Sequence, residues 1–163
     1  MQPPILPRPD LEALGVNYRR IPLLSIGRDM YLDSRLILRK LETAFPSGAL
    51  GGTTADQRAL QQLLERWTVD GGVIARALQL MPLDGPLINS EAFRKDRESM
   101  GFRQFDVSAR IKARPEAIVM IRECFALMET TLLADGRDWV FGGPDPSLGD
   151  IEGMLPVSLL QLD

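Results

Sequence analysis

Downstream of Thr54 the apolar positions fall into a helical rhythm. Leu60, Leu63, Trp67, Gly71, Ile74, Leu78 and Met81 recur at steps of three and four, the period that gathers side chains on one face of an amphipathic helix. The stripe predicts one long helix over about 54–81. The capping-box pattern Thr54-x-x-Gln57 opens it, Gly71-Gly72 bends it, and Pro82 with Gly85-Pro86 ends it. A second stripe, Ile118, Ile121, Phe125, Met128 and Leu132, follows Pro115, which suits the first position of a helix. Neither stripe is continuous enough for a free coiled coil. The plainer reading of both is core packing, with the two helices paired against each other, rather than a cofactor surface.

Between them, residues 87–112 are polar and weakly periodic, with a short helix over 90–100 and no chemical pattern. The last element starts at Ser147-x-x-Asp150, a capping box in which Asp stands for the usual Glu. The Ser147 hydroxyl is expected to bond a backbone N–H, the carboxylate to reach back, and Pro146 to meet Ile151 in a staple.

Before Thr54 the rhythm is different. Two short apolar runs, about 21–26 and 29–32, flank a tight turn at Gly27, the pattern of an antiparallel hairpin. A helix follows with Leu36, Ile37, Leu41 and Phe45 on one side, and Arg35, Arg39, Lys40 and Glu42 mostly off it. Upstream, Asp10 is placed to cap a single turn that Gly15 ends. Pro3, Pro4, Pro7 and Pro9 favour an extended opening, with a plain disordered tail over 1–7 as the alternative. The stretch PSGALGGTT, 46–54, separates the two regions, with three glycines and a proline marking a connector. The expected fold is α/β followed by all-α: residues 1–45, a linker at 46–53, and a helical region over 54–163.

Composition narrows the chemistry. The 163 residues include no histidine, which excludes His-based triads, His-ligated zinc and histidine acid–base catalysis. Cys124 is the single cysteine, so no internal disulfide can form. It lies on the apolar side of its helix, where a buried structural thiol is the plainer reading beside a reactive nucleophile. The net charge is −3 with both signs spread along the chain, and Arg19-Arg20 is too short for a nucleic-acid footprint, so no nucleic-acid partner is expected. No apolar run approaches the ~20 residues of a membrane span, and the opening lacks the apolar core of a signal peptide. No membrane partner is expected, and the cytoplasm is the expected compartment.

Four features together resemble the glutathione transferase superfamily, and within it the fungal glutathione transferase-like branch. RRIPLL resembles the segment in which a cis proline opens the third strand of the thioredoxin-like domain. YLDS resembles the acidic-or-Gln-plus-Ser signature at the next helix start. The linker falls where that family has one. WVFGGPDPSLGDIEGMLP is similar to the G-x-x-x-S-x-A-D-I segment of its sixth helix, with Gly149 where alanine is usual. The resemblance implies a partial thioredoxin-like half-domain followed by an all-helical glutathione transferase C-terminal-like domain. It also implies glutathione as co-substrate, held by Ile21 and Pro22 along its backbone and by Asp33 and Ser34 at its amino-acid end. The alternative for Asp33 and Ser34 is that they simply cap their own helix.

A small apolar electrophile or metabolite would be the second ligand, in a pocket from the helical region near 60–75, and homodimerisation is usual for such folds. The family's first strand and helix, which carry its catalytic Tyr, Ser or Cys, have no counterpart here, nor do its last helices, so no catalytic residue is assigned. Tyr18 and Tyr31 are the phenols present, and packing is the plainer role for both. The reading is therefore a glutathione-binding protein with weak or absent conjugation. A non-catalytic interaction module and a natural-product enzyme that isomerises or cyclises without a thiol are the alternatives.

Overall fold

The computed structural model describes residues 5–83, 85, 89–99 and 107–158, the last five as backbone alone. The expected extended opening at Pro3-Pro4, the stop at Pro86 and the last residues of the final helix lie outside them. The chain divides into two units, Met1–Ala49 and Leu50–Asp163.

In the first unit a short helix α1 (Pro9–Ala13) precedes the antiparallel strands β1 (Leu23–Ile26) and β2 (Asp29–Leu32), and helix α2 (Ser34–Ala44) packs on the hairpin. Leu23 faces Leu32 and Ile26 faces Asp29. Gly27 makes the turn at φ +62°, which a side chain would resist. Asp10 does not cap α1: the cap position is Arg8, without a side-chain bond, because Pro9 takes the first helical position. Arg8 is buried instead, donating from Nη1 to the carbonyl of Arg19 at 2.7 Å. Gly15 ends the turn at φ +73° as expected. Of the apolar side of α2 only Ile37 is buried; Phe45 falls past the helix end and is 58% exposed. A 3₁₀ turn, Pro46–Gly48, closes the unit.

The second unit is helical: α3 (Ala55–Val69), α4 (Val73–Leu80), α5 (Glu91–Glu98), α6 (Val107–Leu127) running into a π-helical turn (Met128–Leu132), and α7 (Leu148–Ser158). The capping box holds: Gln57 N–H donates to Thr54 Oγ1 at 3.2 Å, and Thr54 N–H to Gln57 Oε1 at 3.3 Å. The single long helix does not. It is broken, rather than bent, at Asp70–Gly72, where Gly72 adopts φ +83°. The break redirects the chain, so α3 packs on α7 and α4 on α6. One cluster is therefore Leu64, Met128 and Val140, and the other Val73, Ala77 and Ile121, with Trp67 touching both. Leu63, expected on the buried stripe, is 64% exposed.

Pro115 does not open a helix; it sits inside α6. Its missing N–H leaves the Ile111 carbonyl unpaired, but Pro115 is exposed and Ile111 is 56% exposed, a face where water can serve that group. Eight residues of helix precede the proline, and their buried side is anchored by Arg110. Its guanidinium, 2% exposed, donates to the Leu78 and Met81 carbonyls, while Arg114 donates to that of Leu80 at 3.1 Å. Two arginines thus serve the open C-terminal end of α4. No described helix is long and apolar enough to cross a membrane.

The segment before α7 is held by Asp150. Its Oδ2 accepts from Ser147 N–H at 2.8 Å and from the Ser147 hydroxyl at 2.6 Å, and its Oδ1 from Val140 N–H at 2.7 Å. The reach-back bond is as expected. The serine hydroxyl, however, donates to the carboxylate instead of accepting a backbone N–H, because the carboxylate is the stronger acceptor. Ile151 is 41% exposed, so it is not buried in a staple.

Candidate functional site

The residues Ile21, Pro22, Asp33 and Ser34 line one pocket of about 190 Å³, together with Tyr18 and Arg20. Its two walls come from the approach to β1 and the mouth of α2. The Ile21–Pro22 bond is cis. Strand pairing begins at Leu23, so the backbone of Ile21, an exposed residue, stands outside the β1–β2 ladder and is open to an extended peptide.

At the other wall, Asp33 is the N-cap of α2. Its Oδ1 accepts from Arg35 N–H at 2.8 Å, and its carbonyl from Ile37 N–H at 2.9 Å. For that oxygen the structural reading holds: Asp33 caps its own helix. Its backbone is unusual, with φ +79° and ψ 126°, a region L residues seldom enter and one that recurs at ligand sites. Ser34, exposed, is the first helical residue, and its hydroxyl makes no hydrogen bond to the described residues. The first turn of α2 adds N–H groups and a positive dipole end. The pocket therefore offers an anion corner beside a carboxylate, with one cation, Arg20, on the opposite wall.

The structure thus brings Ile21, Pro22, Asp33 and Ser34 together and adds Tyr18 and Arg20, which no motif in the sequence marks. Tyr18, Arg20 and Pro22 stand at the two-residue spacing that brings extended-chain side chains to one side. Tyr31 is not in the pocket. Its hydroxyl lies 3.5 Å from Asp29 Oδ2, and Lys40 sits over its ring at 5.0 Å. The hydrogen bond to Tyr31 raises the Lys40 ammonium pKa.

The remaining nucleophile is elsewhere. Cys124 packs against the cluster of Val73, Ala77 and Ile121, and burial, with Glu123 adding to it, pushes its thiol pKa up. A raised pKa means less thiolate at neutral pH. Reaction with a disulfide reagent at pH 7.5 is expected to be at least tenfold slower in the folded chain than in 8 M urea; equal rates would mean that the thiol is open. Among the described residues no cluster of Cys, Asp or Glu is arranged to hold a metal ion.

A family described as "Domain of unknown function (DUF7962)" matches residues 76–162, more than half of the chain, and the chain belongs to it. No curated protein matches. Among solved structures, a GST-like protein from Pseudomonas syringae aligns with a TM-score of 0.66 and 27% identity, over 99% of this chain and 47% of that one. The chain thus spans about half the length of that relative, and its fold is glutathione transferase-like.

Proposed function

We propose that this member of the DUF7962 family binds glutathione in the pocket of Tyr18, Arg20, Ile21, Pro22, Asp33 and Ser34, as a glutathione transferase-like protein with weak or absent conjugation of small apolar electrophiles. One observation carries the reading: six residues from two separate segments line a single pocket whose chemistry suits a zwitterionic peptide. The first turn of α2 and the Ser34 hydroxyl take the α-carboxylate of the γ-glutamyl end. The Asp33 carboxylate faces the ammonium beside it. The free backbone edge at Ile21 pairs with the cysteinyl residue as a neighbouring strand would, and Arg20 takes the remaining carboxylate. No thiol-activating role is assigned to any of these groups, so binding with weak or absent turnover is the expected behaviour.

The test is retention on immobilised glutathione with elution by the free tripeptide. Ser34→Ala removes one hydrogen bond to a charged group, about 1.5 kcal/mol or more, and affinity should fall roughly tenfold. Failure of the unaltered chain to bind would end the reading.

A second reading, a protein-interaction module, is favoured by the first unit itself. Leu14, Ile21, Leu36 and Phe45 are 44–69% exposed there, while Ile37 is its one buried hydrophobic side chain among the described residues. So little burial leaves a unit of this size wanting a partner surface. A stable complex recovered without glutathione retention would favour it.

A further inference from the structure

The strongest unassigned feature lies in the second unit, at the C-terminal end of α4. Two arginines of α6, about one helical turn apart, converge there. Arg110 donates to the carbonyls of Leu78 and Met81, and Arg114 to that of Leu80 at 3.1 Å. We propose that Arg110 and Arg114 form a binding site for the phosphoryl group of a small soluble molecule.

Unpaired donors are the first argument. In Arg110, Nη2 serves both carbonyls, while Nε and Nη1 are buried and have no hydrogen-bond partner. The residue as a whole is 2% exposed. Buried donors are as a rule paired, because each has given up its bonds to water. A site for an ion is one of the reasons a folded chain keeps such an orphan.

Charge is the second. The C-terminal end of a helix carries about half a negative charge, and two full positive charges meet it here. The carbonyls therefore engage some of the N–H groups and leave most of the charge uncancelled. Neither arginine forms an ion pair among the described residues. Of the two carboxylates on α6, Glu116 is held by Arg76 at 2.9 Å, and Glu123 lies more than two turns beyond Arg114. Like charges at this spacing repel. Burial, with the charge of Arg114 adding to it, lowers the Arg110 pKa. An anion between the two guanidiniums turns that repulsion into attraction.

The ligand class follows from the excess. A dianion with several acceptor oxygens matches two guanidiniums that still hold donors: Nε and Nη1 of Arg110, and the groups of Arg114 other than Nη1, which is engaged. A single carboxylate brings half the charge and fewer oxygens. The planar fork of a guanidinium also suits phosphate geometry. Arg114 is exposed, so it forms the mouth of the site and Arg110 the floor. A buried floor strengthens the attraction, since charges act more strongly away from water. The site lies within the second unit and shares no residue with the glutathione pocket.

Titration of the full chain with inorganic phosphate and with methyl phosphate, followed by phosphorus NMR line broadening at constant ionic strength, is expected to give saturable binding. Tighter binding of methyl phosphate assigns a phosphomonoester; tighter binding of inorganic phosphate assigns the free ion. Arg114→Gln removes one charged partner at an exposed position. It should weaken the apparent affinity roughly tenfold while far-UV circular dichroism stays in place. Arg114→Lys keeps the charge and should recover most of that loss. Arg110→Lys loses the buried donors and should weaken binding as much; if it folds poorly, the two Arg114 variants decide. Lys112 stands between the arginines in sequence but about 200° round the helix, and Lys112→Gln should change nothing. Ser34→Ala should also change nothing, which separates the result from the fate of the glutathione reading. Broadening that rises linearly without saturation would overturn the proposal. So would equal binding by the unaltered chain and Arg114→Gln, or an equal loss in Lys112→Gln, the sign of a diffuse charge effect.

Discussion

Replacing Asp150 with alanine is expected to destabilise the second unit by about 3–5 kcal/mol, enough to unfold a domain of ordinary stability. The carboxylate is 6% exposed and accepts three hydrogen bonds at 2.6–2.8 Å, from Val140 N–H, Ser147 N–H and the Ser147 hydroxyl. Val140 and Ser147 are buried as well, so the donors left behind have poor access to water. Each buried donor without an acceptor costs about 1–3 kcal/mol, and the serine hydroxyl escapes part of that by rotating. Asp150→Asn should cost roughly half as much, because its amide oxygen can still serve one side while its NH₂ faces a donor on the other. Ser147→Ala should cost about 1 kcal/mol, since it removes a donor along with its bond and orphans little. Urea titration followed by circular dichroism measures all three. An Asp150→Ala loss under about 1 kcal/mol would show that the carboxylate only decorates the loop.

The same segment shows what the sequence could and could not disclose. Ser147 and Asp150 stand at a spacing that announces a helix start, and the start is there, one residue on. The bond to Val140 was hidden, because it comes from ten residues upstream and has no local pattern. Gly149 was visible as a departure from the usual alanine, and the reason lies in the packing. A Cβ there would stand 2.8 Å from the Phe141 ring, and only the fold brings Phe141 to that place. The hairpin and α2 were legible because short-range patterns specify them, namely a glycine in a two-residue turn and a 3.6-residue stripe. Resemblance singles out Ile21, Pro22, Asp33 and Ser34, which the structure gathers into one pocket; Arg20 joins them there with no motif to mark it. Helix α6 begins earlier than its apolar stripe announces. Arg110 lies on the same face as Ala117 and Ile121, so the buried side of its first two turns is anchored by an arginine, which a hydrophobic count scores as surface.

The break between α3 and α4 gives the second large effect, and there the sign itself decides between readings. In a continuous helix over 54–81, Gly71→Ala would stabilise by up to ~1 kcal/mol, since alanine loses less backbone freedom than glycine on folding. The observed geometry predicts the reverse. After α3 the N–H groups of Asp70 and Gly71 both donate to the Arg66 carbonyl at 2.8 Å, and the chain folds back so closely that a Cβ on Gly71 would lie 2.3 Å from the Trp67 carbonyl oxygen. That oxygen belongs to backbone, so no side chain can swing away, and the break itself must open at a cost of about 2–3 kcal/mol. Gly72→Ala meets no neighbouring atom but must hold φ +83°, a penalty of about 1–2 kcal/mol. The expected order of urea midpoints is therefore unaltered chain, Gly72→Ala, Gly71→Ala; a midpoint raised by either alanine would restore the unbroken helix. The consequence reaches the core, because Trp67 packs against both of its clusters. A shift forced on its backbone by Gly71→Ala should change the near-UV circular dichroism of the folded chain as it lowers stability. Gly72→Ala, which presses on nothing, should lower stability and leave that spectrum nearly intact.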